Sequence, residues 1–148
     1  MDLVQQVSKK YLEKAIQYSK LSTCPKMEVG AILIREGKMI ASGYNGAPIG
    51  LSHCEEIEPT CYEHENHCQN SLHAEQAILL YCARNGIKTD KSLLYITHYP
   101  CKNCTRFLIQ AGILKVYYKY DYKNYENIFK NDLKIIKVND YEWNSNFL

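Results

Sequence analysis

Ser92–Tyr120 reads SLLYITHYPCKNCTRFLIQAGILKVYYKY, and the fold follows from its rhythm. Ser92 to Thr97 is a short apolar run of strand length. Cys101 to Gln110 has helical character and is closed by Gly112, and Lys115 to Tyr120 is β-rich again. A strand, a helix and a second strand in immediate succession favour parallel pairing through a crossover. The pattern continues downstream with a short helix over Tyr125–Asn131 and a last strand over Lys134–Val138. Upstream, His73 to Arg84 is rich in Ala, Leu, Ile and Gln and ends at Asn85-Gly86, a helix C-terminal signal.

The first third of the chain differs. Between Asp2 and Lys20, apolar side chains at Leu3, Val7, Tyr11, Leu12, Ala15 and Ile16 form the stripe of an amphipathic helix. Val29–Ile34 and Met39–Tyr44 flank Arg35-Glu36-Gly37-Lys38 and read as a hairpin. Gly50 to Ser71 is polar, rich in Cys and His, and lacks sustained periodicity, so a long functional loop is expected there. The predicted architecture is a three-layer α/β/α sandwich, with a mixed sheet of about five strands and helices on both faces. Its 148 residues (1-148) fit one domain with no repeat or linker.

Composition narrows the function. Eighteen basic against sixteen acidic side chains give a formal net charge of +2, which is no footprint for a long nucleic-acid backbone. A small, singly phosphorylated substrate suits it better, and neither nucleic acid nor membrane is an expected partner. Tyr117-Tyr118-Lys119-Tyr120-Asp121-Tyr122 resembles an aromatic-basic binding surface, but a strand and its edge in a Lys-, Asn- and Tyr-rich chain explain it more simply. The opening Met1–Gln6 lacks a basic segment followed by an apolar one, and no window reaches the roughly 18 apolar residues of a membrane span, so a cytoplasmic protein is expected. Seven cysteines, an odd number, argue for reduced thiols and therefore for metal binding or catalysis.

Two short motifs carry the chemistry. Cys101 and Cys104, three residues apart at a helix start, lie near one face of the first turn, where the helix N-terminus favours thiolate. By itself this CxxC is equally a redox dithiol or half of a structural zinc knuckle. His73-Ala74-Glu75 also opens a helix, and residues two apart on a regular helix point to nearly opposite sides. His73 must therefore stand just outside the helix to share a cavity with Glu75. Alone, the triplet is no more than a His at a helix start beside a Glu that suits the dipole. Together, one His and two Cys make three protein ligands, the number that leaves tetrahedral zinc a position for water. Zinc lowers the pKa of water toward roughly 7, and Glu75 is placed to take the proton. H-x-E with P-C-x-x-C is the pattern of the zinc deaminases.

The chain resembles the cytidine/deoxycytidylate deaminase superfamily from about Ser22 to Tyr122, most closely the deoxycytidylate (dCMP) deaminases of bacterial competence operons and phages. The resemblance is carried by Ser22-Thr23-Cys24-Pro25, Val29-Gly30-Ala31, Gly43-Tyr44-Asn45-Gly46-Ala47-Pro48, His67-Cys68, His73-Ala74-Glu75, Thr97-His98-Tyr99-Pro100-Cys101 and Ile109-Gln110-Ala111-Gly112-Ile113. It implies a cytidine deaminase-like fold and hydrolysis of dCMP to dUMP and ammonia, feeding thymidylate synthesis. It also implies Glu75 as proton shuttle, Asn45 as a substrate ligand on the nucleotide sugar and Tyr44 as a pocket wall. From the residues alone, Gly43–Pro48 is a strand end and a turn. The family commonly has Asn two residues after the catalytic Glu, where this chain has Ala77.

Cys24, Cys54, Cys61, His67 and Cys68, with His53 and His64 nearby, exceed what one catalytic zinc uses. They are either free thiols and imidazoles or ligands of a second, structural zinc that pins the long loop. The resemblance favours Cys24 and Cys54 for such an ion, completed by Cys61 and His67 with Cys68 as the rival. It further implies a hexamer activated by dCTP with magnesium and inhibited by dTTP. Arg84 matches a residue linked to that control, although a solvated helix-end Arg reads the same way. Two competing functions remain: a zinc deaminase of another cytosine or adenine nucleoside, nucleotide or tRNA base, and a non-enzymatic zinc-stabilised protein of competence and DNA uptake. Glu75 weighs against the second, since a structural zinc needs no adjacent proton shuttle.

Overall fold

The structure is a computed structural model that describes residues 2–56, 63–64, 67–68, 70–123, 129 and 131–139. Helix α1 spans Leu3–Ser19; Asp2 caps it, its carboxylate accepting from the Gln5 N–H at 2.8 Å. Strands β1 (Gly30–Arg35) and β2 (Lys38–Tyr44) form the expected hairpin. Its turn is made by Glu36 and Gly37, both with positive φ (51° and 74°), a conformation suited to a tight two-residue connection. The described residues of the segment Gly50–Ser71 include short regular pieces. These are a 3₁₀ turn at Cys54–Glu56 and a two-stranded ribbon of β3 (Glu63–His64) and β4 (His67–Cys68).

Helix α2 (Ala74–Asn85) ends on Gly86 in the left-handed conformation, as Asn85-Gly86 predicts. Strand β5 (Leu93–His98), helix α3 (Lys102–Gln110) and strand β6 (Lys115–Tyr120) follow, and β7 (Lys134–Lys137) closes the sheet. The helix expected over Tyr125–Asn131 falls mainly outside the described residues. Asn131 lies in a bend, its side chain accepting from the Leu133 N–H.

The sheet order is β2-β1-β5-β6-β7, antiparallel for β2/β1 and β1/β5 and parallel for β5/β6 and β6/β7. The mixed five-stranded sheet of the sequence reading is therefore present, and strand alternation builds its two cores. Ala31, Leu33, Leu94 and Ile96 face α2 and α3, packing against Ala74, Ile78 and Leu108. Ile32, Ile34, Tyr95 and Tyr117 face the other way, against Leu12 of α1. On that face Tyr95 and Tyr117 stack at 4.8 Å with Tyr11 tilted beside them, which identifies part of the Tyr-rich segment as core. Among the described residues no helix is long and apolar enough to cross a membrane.

This arrangement positions the site. The C-terminal end of β5, the N-terminal end of β1 and the starts of α2 and α3 meet at one edge of the sheet. Gly46 and Leu72 bridge there through paired backbone bonds of 3.2 and 2.8 Å, drawing the β2 exit to the residue before His73.

Candidate metal centre and cavity

His73 stands just outside α2 as its N-cap, in extended conformation (φ −68°, ψ 154°), while Glu75 lies inside the first turn. The departure from helical geometry lets residues two apart face one cavity. Its orientation is fixed by Gln76, whose Oε1 accepts from the His73 backbone N–H at 2.9 Å, half of a capping box. Sequence reasoning overlooked Gln76, although its position three residues after the cap is the signal for this bond. Ala77, where the resembling family has Asn, donates its backbone N–H to the His73 carbonyl and adds no side chain to the cavity wall.

Cys101 is the N-cap of α3 and Cys104 lies in its first turn; the Cys104 N–H donates to Cys101 Sγ at 3.5 Å. Thr105 donates its hydroxyl to the Cys101 carbonyl at 2.9 Å and steadies the same turn. His73 Nδ1 lies 3.5 Å from Cys101 Sγ and 3.4 Å from Cys104 Sγ. All three donor atoms lie within 4.8 Å of one another. A tetrahedral zinc with bonds near 2.0 Å to nitrogen and 2.3 Å to sulfur separates its ligands by about 3.6 Å, so the donor set and its spacing fit zinc.

Electrostatics divides the group. Cys101 is driven well below the ordinary thiol range, first by the hydrogen bond from the Cys104 thiol, whereas Cys104 holds its proton through that same bond and burial. The pair therefore favours a thiolate at Cys101 with the proton on Cys104, and metal binding would release that proton. Glu75 is only 4% exposed, and burial pushes its carboxyl up to about 7 against the opposing backbone hydrogen bond and the His73 charge. A carboxyl poised near neutrality both takes and returns protons.

The cavity beside this group is walled by Val29, Asn45, His98, Tyr99 and Tyr122, with Lys26 and Cys24 at the β1 side. Asn45 is 8% exposed and its amide is engaged with backbone: Nδ2 donates to the Met27 carbonyl at 2.7 Å and Oδ1 accepts from the Val29 N–H at 2.8 Å. Tyr44 is half-exposed and is not among the wall residues, contrary to the sequence expectation. Adjacent residues at a strand end point to opposite sides, so Asn45 and Tyr44 cannot both face inward.

His98 also escaped the sequence reading. Thr97 Oγ1 accepts from the Gly30 N–H at 3.2 Å and lies 2.8 Å from His98 Nδ1. Thr97 is 1% exposed, so its hydroxyl is held between Gly30 and the His98 ring. Burial lowers the His98 pKa, favouring the neutral ring.

The remaining predicted residues are not gathered here. Cys54 is fully buried, 3.5 Å from Asn70 Nδ2, and Cys24 lies at the cavity edge. Cys61 lies outside the described residues, and His67 and Cys68 are described by backbone alone. Arg84 stands exposed in the last turn of α2, away from the cavity wall.

Comparison with known proteins gives a consistent result. The family model for the cytidine and deoxycytidylate deaminase zinc-binding region matches residues 5–120. ComE operon protein 2 of Bacillus subtilis (strain 168) is 45% identical over 104 residues, covering 70% of this chain and 54% of that protein, so the chain matches about half of that relative's length. The deoxycytidylate deaminase of Enterobacteria phage T2 is 27% identical, covering 89% of this chain and 92% of the phage protein. Among solved structures, the dCMP deaminase of cyanophage S-TIM5 in complex with dCMP and dUMP superposes with a TM-score of 0.77 at 32% identity, covering 93% of this chain and 98% of that one. With a matching family model over most of its length, and with the zinc-type donor triad brought together by the fold, the chain belongs to the cytidine and deoxycytidylate deaminase family.

Proposed function

We propose that the protein hydrolyses dCMP to dUMP and ammonia. The observation that carries this reading is the convergence of His73, Cys101 and Cys104 on one point beside the buried carboxyl of Glu75, within a cavity. The likeness to the cyanophage dCMP deaminase over 93% of this chain supports the choice of substrate. His73, Cys101 and Cys104 would hold zinc, which when bound supplies a Lewis acid that makes water nucleophilic near neutral pH.

The chain's own residues do the rest. Cytosine enters with C4 toward the triad and N3 toward Glu75. Glu75 takes one proton from water as its oxygen bonds to C4, and hands that proton to N3. It then moves the second proton to the exocyclic nitrogen, the C4–N bond breaks, and ammonia leaves behind a C4 carbonyl. Tyr99, Tyr122 and Val29 line the cavity and would pack against the ring.

Substitution Glu75→Gln keeps the shape and removes the proton acceptor. We expect dCMP turnover to fall about 10²- to 10⁴-fold while zinc per chain is unchanged. A variant with near-normal turnover would overturn the shuttle assignment.

Two further parts belong to the same proposal. A second zinc on Cys24, Cys54, Cys61 and His67, with Cys68 as the alternative, is supported by the surplus of soft ligands. Control by dCTP with magnesium and by dTTP, acting through Arg84 in a hexamer, is supported by resemblance. Unchanged dCMP kinetics on addition of either nucleotide would remove the regulatory part.

A further inference from the structure

Two aromatic rings, Tyr99 and Tyr122, line the cavity, and both are tied to the end of β6. Tyr99 donates its backbone N–H to the Tyr120 carbonyl at 2.9 Å and meets the Tyr118 ring edge-on, with centroids 5.0 Å apart. Tyr122 lies two residues beyond the last residue of β6, outside the sheet. Its direction therefore depends on what holds its neighbours.

Asp121 is the neighbour that is held. One oxygen of its carboxylate accepts from the Tyr118 hydroxyl at 3.3 Å, and the other accepts from the Lys137 ammonium of β7. Both partners sit on paired strands: Lys137 stands opposite Tyr118 in the parallel register, and the Val138 N–H donates to the Tyr118 carbonyl at 2.9 Å. Tyr118 is itself part of the core beneath α2 and α3. Burial, and then the Asp121 charge, pushes its hydroxyl up to about 12, so it keeps the proton it donates. Asp121 thus turns toward Tyr118 and Lys137, while the next residue, Tyr122, faces the cavity. The two bonds are unequal. The Lys137 and Asp121 side chains are 42% and 66% exposed, and an ion pair so open to water contributes little. The bond from Tyr118 is partly buried and comes from a core residue, so it carries more of the tie.

We propose that Asp121 is a positioning residue of the active site: by tying the corner after β6 to Tyr118 and Lys137, it holds Tyr122 against the space that the cytosine ring enters. The proposal rests on the dCMP reading above and adds a residue that acts on the substrate only through its neighbour.

The test is steady-state kinetics on dCMP for the zinc-loaded wild type, Asp121→Ala, Asp121→Asn, Tyr118→Phe and Lys137→Met, with Asp121→Ala also combined with Tyr118→Phe and with Tyr122→Ala. Asp121→Ala and Tyr118→Phe should each raise KM about 3- to 10-fold, the scale of one hydrogen bond, with kcat changed less and zinc per chain unchanged. Asp121→Asn, which still accepts from Tyr118, should recover most of the KM, and Lys137→Met should move it less than about twofold. Asp121→Ala with Tyr118→Phe should lose little more than the worse single variant, since both cut the same bond. In a Tyr122→Ala enzyme, adding Asp121→Ala should change KM less than about twofold. An unchanged KM in Asp121→Ala, additive losses with Tyr118→Phe, or an undiminished loss in the Tyr122→Ala enzyme would overturn the assignment of Asp121. A wild type that leaves dCMP untouched would instead sink the dCMP reading itself.

Discussion

Gly43 is the point where the sheet touches the helix that carries the proton shuttle, and replacing it with alanine tests how tightly that contact sets the site. A Cβ built on Gly43 meets Ile78 Cβ at 3.0 Å, the Ala74 carbonyl oxygen at 3.2 Å and the Ile78 backbone N at 3.2 Å. Carbon atoms in good contact sit about 3.5–4.0 Å apart, so α2 must retreat by about half an ångström. Two of the three obstructing atoms are helix backbone, so no side-chain rotation relieves them. The retreat acts on the first two turns of α2, which hold Glu75 and follow His73, whose Nδ1 sits only 3.4–3.5 Å from the sulfurs. Overpacking of this kind costs about 1–3 kcal/mol, and a chain of this length loses about 2–4 °C of Tm per kcal/mol. We expect Gly43→Ala to melt about 3–10 °C lower in calorimetry of the zinc-loaded protein. Its kcat should fall at least about tenfold, since misplacement by 1 Å costs about a hundredfold. Gly46→Ala is the control: its Cβ meets only the tip of Thr23 at 3.3 Å and Tyr44 at 4.0 Å, and should be tolerated. A Gly43→Ala enzyme with unchanged Tm and kcat, or a Gly46→Ala enzyme damaged more severely, would refute the claim that this contact fixes the catalytic helix.

Two other outcomes follow from the packing and the metal site. Leu12→Ala, which opens the fully buried layer between α1 and the sheet, should destabilise by about 2–5 kcal/mol in denaturant unfolding, whereas Leu80→Ala, at an exposed position of α2, should stay within about 0.5 kcal/mol; comparable losses would contradict the assignment of these faces. Chelation should abolish dCMP turnover and added zinc should restore it, and metal analysis should give two zinc ions per chain in the wild type and one in Cys54→Ser, while one in both would withdraw the structural ion.

What the sequence disclosed, and what it withheld, divides along the range of the interactions. Strand alternation at Leu94, Tyr95 and Ile96 and the helix punctuation at Asn85-Gly86 are local effects, so they were legible in order and type. The position of His73 outside its helix was legible for the same reason, because two residues at that spacing have no other way to share a cavity. The antiparallel placement of β1 beside β5, and the Gly46–Leu72 bridge, unite segments far apart in sequence and leave no periodic trace. The Asn45 clamp is of this second kind. Its sequence context, a strand end running into Gly46, reads as a turn, and the donor and acceptor it satisfies belong to Met27 and Val29. Tyr44 shows the opposite case, a local rule available but not applied: it neighbours Asn45 on an extended backbone and so faces away from the cavity. His98 needed long-range facts, the Gly30 bond to Thr97 and its place in the cavity wall, before it could be seen as part of the site.

The same edge of the sheet prepares its acids for opposite tasks. The starts of α2 and α3 both end at the cavity, each presenting the positive end of its dipole. Cys101, as the cap of α3, has its anion favoured first by the hydrogen bond from the Cys104 thiol, and further by His73 and the Cys104 N–H, which suits a soft, charged metal ligand. Glu75 receives a backbone hydrogen bond as well, but it lies inside the first turn of α2 with 4% of its surface exposed, and loss of water outweighs the helix field and holds its carboxyl near neutrality. Position relative to the helix start and burial thus act together: the cap thiol Cys101 keeps its charge, while Glu75, two positions past the cap of α2 and buried, keeps a proton it can exchange. Exchanging these surroundings would give a carboxylate too acidic to return its proton and a thiol too weakly ionised to hold zinc, so the register of His73-Ala74-Glu75 and Cys101-Lys102-Asn103-Cys104 on their helices matters as much as the identity of the side chains.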